Sequence, residues 1–131
     1  MVTGKLLQKK ILKKKNEILV IDDNLDELQT IKTILQKAGY QVETALSGRK
    51  GLQALAKHQF SCILLDILMP ELSGYELLRL LREKINHKVP IAFISIVPHS
   101  EVNLHDVDGF IQKPFSPEGL VAEVKRLLQG R

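Results

Sequence analysis

A chain of 131 residues with one cysteine, Cys62, cannot form an internal disulfide and fits a reducing, cytoplasmic compartment. Cys62 lies inside an apolar run, so its thiol is expected to be packed rather than reactive. No apolar stretch approaches the ~20 residues that a membrane span needs. The chain does not open on a signal-like apolar segment either, because Lys9 and Lys10 interrupt Leu6-Leu7. Neither a P-loop nor a G-x-G-x-x-G turn follows the first apolar run, which argues against nucleotide binding. The four histidines (His58, His87, His99, His105) have no metal-ligand spacing and are assigned to the surface. Acid is missing from residues 1–15, which hold six lysines. The formal charge of +4 therefore belongs to this segment, and the remainder carries −2. Residues 1–15 are read as a basic N-terminal extension, and residues 16–131 as the folded domain.

What remains is ordinary globular material, 44% hydrophobic and 26% charged, at a length suited to one domain with a real core. Strand and helix patterns alternate along it. Strands are expected near Glu17–Asp22, Tyr40–Ala45, Ser61–Asp66, Val89–Ser95 and Gly109–Ile111. Between the first two, Leu28, Ile31, Ile34 and Leu35 recur at helical spacing up to Gly39. A second helix opens at Ser47 and carries Leu52, Leu55 and Ala56. A third begins near Gly74 with Leu77, Leu78 and Leu81, and a last one follows Ser116-Pro117 with Leu120, Val124, Leu127 and Leu128. Such alternation predicts right-handed crossovers and a parallel sheet covered on both faces. Ile96–Asp108 breaks the pattern: only Val102 and Leu104 offer an apolar face, so the helix there is expected to be short, distorted or missing.

Asp66 closes the run Cys62-Ile63-Leu64-Leu65, and Asp22-Asp23 follows Ile18-Leu19-Val20-Ile21. In a parallel sheet both acidic groups reach the carboxyl edge, where open α/β sheets place their ligands. Three carboxylates crowded there repel one another unless a cation intervenes, and hard oxygen donors in that number suit Mg²⁺. Taken singly, the acids Asp22-Asp23 could instead cap the first helix, Ser95 could be a strand-end hydroxyl, Phe110 core, and Lys113 a solvated charge. Asp66 resists so plain a reading, because a carboxylate ending an apolar strand is costly unless paired.

The ordered set Asp22-Asp23, Asp66 within LLDILMPELSG, Ser95, and Lys113-Pro114-Phe115 resembles the receiver domain of two-component response regulators over residues 16–129. The resemblance implies a flavodoxin-like doubly wound α/β fold with five parallel strands in the order 2-1-3-4-5. It implies that Asp66 takes a phosphoryl group from a histidine kinase or histidine phosphotransfer protein. Asp22, Asp23, Asp66 and the backbone carbonyl of Leu68 would hold Mg²⁺, with Mn²⁺ as a substitute. Lys113, cis-bonded to Pro114, would pair with a phosphoryl oxygen. Ser95 would offer its hydroxyl, and Phe110 matches the switch aromatic. The activity implied is self-catalysed phosphoacceptance and autodephosphorylation, not that of an enzyme in the ordinary sense. Aspartate-dependent phosphatases keep an acid two residues past the nucleophile, where this chain has Leu68. The last helix runs to within a few residues of residue 131, so direct nucleic-acid binding is not expected.

Three departures from the family pattern bear on mechanism. Ile96 follows Ser95 where the family has Ala or Gly. Leu68 and Val97, two residues past Asp66 and Ser95, are both apolar, which points to slow or unusual hydrolysis. The Ser95–Lys113 interval is about one helical turn short. These departures keep open an alternative, a phosphorylation-independent receiver-like interaction module.

Overall fold

The computed structural model describes residues 16–69, 72–85 and 88–130. The basic extension expected over residues 1–15 lies outside the described residues, as do Pro70 and Glu71 of the loop motif, His87 and Arg131. Five strands are formed: β1 (Glu17–Ile21), β2 (Gln41–Ala45), β3 (Cys62–Asp66), β4 (Ile91–Ser95) and β5 (Gly109–Gln112). They pair in parallel in the order β2-β1-β3-β4-β5, the doubly wound topology expected. Helices α1 (Leu25–Lys37), α2 (Gly48–Lys57), α3 (Gly74–Lys84) and α4 (Pro117–Gln129) supply the crossovers and the C-terminal cover.

Period-two alternation within the strands sorts the core into two layers. Ile18, Val20, Cys62, Leu64, Ala92 and Ile94 face α1 and α4, meeting Leu28, Ile31, Leu35, Leu120, Val124 and Leu127. Leu19, Ile21, Ile63, Leu65, Ile91 and Phe93 face the other way, against Ala54 of α2 and Leu77, Leu78 and Leu81 of α3. Every residue of β3 and β4 is buried, as strands covered on both faces require. The helices start and stop where local chemistry tells them to. Asn24, Ser47, Ser73 and Ser116 each accept a backbone N–H three residues on. Gly39 takes φ +98° just past the end of α1, a conformation that strains a side-chain-bearing residue.

Some expectations shift. Tyr40, Ser61, Val89 and Pro90 fall just outside their strands, Asp22 just after β1, and Gln112 extends β5. Ala56 is exposed; α2 buries Gly48, Gly51 and Ala54 instead, a small-residue stripe that brings the helix close to the sheet. A Cβ on Gly51 would lie 2.4 Å from Cδ1 of Ile21, which shows how close that approach is. Between β4 and β5 the chain forms only a three-residue 3₁₀ turn, His99–Glu101. Val102 and Leu104, joined by Val107, cover the sheet there without a regular helix.

Gly74 ties this scaffold to the loop after β3. Its N–H donates to the carbonyl of Ile67 at 2.9 Å, and a Cβ there would lie 2.6 Å from Cα of Ile67 and 2.7 Å from the carbonyl oxygen of Asp66. No rotamer change relieves a clash with backbone. Gly74→Ala is expected to destabilise the fold by about 1–3 kcal/mol, as overpacked sites do, read as a lower urea midpoint; an unchanged midpoint contradicts the close packing.

Candidate functional site at the carboxyl edge of the sheet

The register puts the ends of the strands side by side: Ile21 pairs with Leu65, Asp66 with Ile94, and Ser95 with Gln112. Asp22, Asp66, Ser95 and Lys113 are thereby delivered to one edge. Asp22 and Ser95 are fully buried, Asp66 nearly so, and Asp23 is exposed. Carboxylate oxygens of Asp22, Asp23 and Asp66 lie within 4.8 Å of one another. Capping of α1 falls to Asn24, whose side chain accepts the Glu27 N–H at 2.9 Å. The two aspartates before it are thus spared the capping role that their sequence position allowed.

Lys113 enters this cluster from the end of β5, its side chain 8% exposed. Its Nζ donates to Oδ2 of Asp22 at 2.9 Å and to Oε2 of Glu27, and lies 3.6 Å from Oδ2 of Asp66. Its bond to Pro114 is cis, as the resemblance implies. The other oxygen of each buried aspartate holds its own loop: Asp22 Oδ1 accepts from Asn24 N–H at 3.0 Å, and Asp66 Oδ1 from Leu68 N–H at 3.1 Å. Ser95 Oγ accepts from the Val97 N–H at 3.0 Å. Phe110 is half-buried on β5, with its ring 5.2 Å from that of His99 in edge contact.

Glu27 was not singled out from sequence. The pattern Asn24-Leu25-Asp26-Glu27 reads there as an ordinary helix start, and only the fold reveals that this carboxylate turns toward β5. Gln112 was missed likewise. Its Nε2 donates to the carbonyls of Ser95 (3.0 Å) and Val97 (3.1 Å), while its Oε1 accepts the His99 N–H at 3.0 Å. The side chain thus fastens the segment after β4 to β5.

Crowding sets the protonation of the acids apart. Burial pushes Asp66 up to about 6; Lys113 pulls against this and the Asp22 charge adds to it. Asp22 is held below the usual carboxylate range despite its burial, through hydrogen bonds with Glu27, the Asn24 N–H and Lys113. Glu27 is raised by burial and by its contact with Asp22. Lys113 is raised in spite of burial, through its bonds to Glu27 and Asp22. Among the described residues, Asp22, Glu27 and Asp66 pair with Lys113, and Asp23 lies beside the two other aspartates. These four acids outnumber the ammonium at the edge, and the all-oxygen donor set of Asp22, Asp23 and Asp66 fits a hard divalent cation.

The sequence profile described as response regulator receiver domain matches residues 18–125. This chain belongs to that family. The receiver domain is 31% identical over 119 residues to the transcriptional regulatory protein SrrA of Staphylococcus aureus, a match covering 87% of this chain and 48% of that protein. The chain thus spans about half the length of the curated relatives it matches. Among solved structures it superposes on the chemotaxis protein CheY4 of Vibrio cholerae with TM-score 0.82 at 31% identity, over 88% of this chain and 100% of that one. The response regulator TrrA of Thermotoga maritima, in a complex with Mg²⁺ and BeF, matches with TM-score 0.78 at 30% identity, over 86% and 99%. No helix among the described residues is long and apolar enough to cross a membrane.

The raised pKa of Asp66 has a consequence for the metal-free receiver. A carboxyl whose folded value lies near 6, against 3.8 ordinarily, keeps its proton better in the folded state. Its contribution therefore turns unfavourable as pH rises from ~4 through ~6, by up to about 3 kcal/mol for a shift of roughly two units. In chelator, Asp66→Asn is expected to be more stable than wild type at pH 8, with the difference shrinking toward pH 4. Denaturant titrations at the two pH values check this; a gap that grows on acidification contradicts it.

Proposed function

We propose that Asp66 is the phosphoacceptor of this receiver, taking its phosphoryl group from a histidine kinase or histidine phosphotransfer protein. The observation that carries the reading is the near-buried Asp66 carboxylate within 4.8 Å of Asp22 and Asp23 carboxylate oxygens, with Lys113 Nζ 3.6 Å away. In the transfer, an oxygen of Asp66 bonds to phosphorus as the P–N bond to the donor imidazole breaks, and the electron pair leaves with the imidazole nitrogen. Asp22, Asp23 and Asp66, with the carbonyl of Leu68, would hold Mg²⁺ or Mn²⁺, which when bound supplies positive charge against the repulsion between Asp66 and an anionic phosphoryl group. Lys113 exchanges carboxylate for phosphoryl oxygen as a compact cation on a flexible stem. Ser95 Oγ already accepts from Val97, which leaves its own proton to donate to the phosphoryl group. Phe110 is the aromatic that responds to this change.

Residues 16–131 form the receiver unit in this reading, and residues 1–15 a basic extension to it. A protein rather than a small molecule as natural donor is supported by the rim of the site. Leu46, Leu68 and Ile96, from the loops after β2, β3 and β4, and Leu25, which opens α1 after β1, are exposed large apolar side chains. Apolar groups spread around an acidic centre suit a helical donor surface. Autodephosphorylation is expected to be slow, because Leu68 and Val97 offer no polar group to orient water. The alternative, an interaction module indifferent to phosphorylation, draws on the missing helix between β4 and β5.

Intact-mass measurement after acetyl phosphate and Mg²⁺ treatment separates the two readings. One added phosphoryl group, absent in Asp66→Asn and without Mg²⁺, is expected; an unchanged wild-type mass, or equal labelling of the variant, favours the interaction module.

Ile96 is 64% exposed, so it lies outside the core. Ile96→Ala is expected to leave stability within about 0.5 kcal/mol, as surface changes do, while speeding both labelling and loss of the phosphoryl group. Unchanged rates would show that Ile96 does not narrow the approach to Asp66.

A further inference from the structure

Glu27 stands at the third helical position of α1, three residues after its N-cap Asn24. Asn-x-x-Glu is the pattern of a capping box, in which the glutamate reaches back to the N–H of the cap residue. Here that N–H is already taken: Asn24 donates to Asp22 Oδ1 at 3.0 Å. The Glu27 carboxylate is released to bridge across the sheet edge, where its Oε2 accepts from Nζ of Lys113. With Asp22 Oδ2 at 2.9 Å and Asp66 Oδ2 at 3.6 Å, the ammonium sits nearer to the two acids that do not react than to the one that does.

We propose that Glu27 is an anionic latch that withholds Lys113 from Asp66 and must yield it to the phosphoryl group. The inference rests on the phosphoacceptor reading and assigns Glu27 as a positioning residue acting through Lys113. An incoming phosphoryl group needs the same ammonium, so each charge-assisted bond from Lys113 to Glu27 is one to be exchanged. Partial exposure of Glu27, at 38% of its side chain, gives it somewhere to go: its carboxylate can turn to water as Lys113 moves, whereas the fully buried Asp22 cannot. The latch opens on the solvent side.

Three variants of the full chain separate this from simpler causes. Glu27→Gln removes the charge and the strong acceptor. Glu27→Asp keeps the charge but shortens the reach by one methylene. Asp26→Asn removes an exposed charge from the same helix end. Labelling by phosphoramidate with saturating Mg²⁺ and binding of beryllofluoride are measured on each, after circular dichroism confirms folding. Glu27→Gln is expected to label about three- to tenfold faster and to bind beryllofluoride correspondingly tighter, the scale of one net hydrogen bond lost from the competition, since the amide oxygen still accepts weakly from Lys113. Glu27→Asp should resemble it, and Asp26→Asn should stay near wild type. Independently of phosphorylation, the Lys113 ζ-ammonium resonance in ¹H–¹⁵N spectra should shift and exchange faster in both Glu27 variants but not in Asp26→Asn. Labelling of Glu27→Gln at or below the wild-type rate overturns the latch, as does an equal effect of Asp26→Asn, which would leave only a general charge effect. A wild type that neither labels nor binds beryllofluoride overturns the phosphoacceptor reading and the latch together. A labelling wild type with unresponsive Glu27 variants overturns the latch alone.

Discussion

The carboxyl edge of this sheet answers to an imbalance of charge among the described residues: Asp22, Glu27 and Asp66 gather around the ammonium of Lys113, with Asp23 beside the two other aspartates. Water would dissolve the repulsion, but the sheet denies it. Asp22 is fully buried and Asp66 nearly so, because each follows or ends a strand packed on both faces. The edge therefore stays under electrostatic tension that a cation relieves. The two core layers exist, in functional terms, to hold those strand ends fixed while their charges oppose one another. Backbone N–H groups of Asn24 and Leu68 tie down one oxygen of each buried acid and leave the other facing Lys113.

Most of the fold was legible because its signals are local and repeated. The short apolar runs Ile18–Ile21 and Cys62–Leu65 mark strands buried on both faces, and the cap residues Ser47 and Ser116 lie where helices begin. The deviation between β4 and β5 could be foreseen from its poverty of apolar residues. What replaces the helix could not, because it depends on partners distant in sequence. Arg82 donates to the carbonyls of Val89 and Asp106 and pairs with Asp108, and the Tyr75 hydroxyl accepts the Asn103 N–H. Ala56 was misplaced for a related reason. A helix lying close to a sheet buries its smallest residues, and Gly48 and Gly51 carry no hydrophobic signal to announce it.

The site shows the same division. Asp22, Asp23, Asp66 and Lys113 were readable because each sits at the end of a strand, and parallel strands put their ends together. Glu27 and Gln112 were not, because their functional contacts cross between elements far apart in the chain. Glu27 meets a lysine 86 residues on, and Gln112 reaches back to Ser95 and Val97. Each carries a side chain whose default reading is bland, a helix-start acid and a strand-end amide. Only the diversion of the Asn24 N–H to Asp22 frees the first, and only the shortened connection gives the second something to grip.

The anchors of the β4–β5 connection are largely main-chain groups on the connection's own side: the N–H groups of His99 and Asn103 and the carbonyls of Val97 and Asp106. A main-chain group is present whatever residue bears it. Val102, Leu104 and Val107 cover the sheet, and the side chains of Asn103 and Asp108 accept from the His105 N–H and from Arg82 and the Ile91 N–H. Away from these five, side chains in this stretch can therefore be replaced without loosening the frame that holds them. A receiver built this way has a surface beside its acidic centre that evolution can rewrite one residue at a time, matching new partners while the chemistry at the strand ends stays as it is.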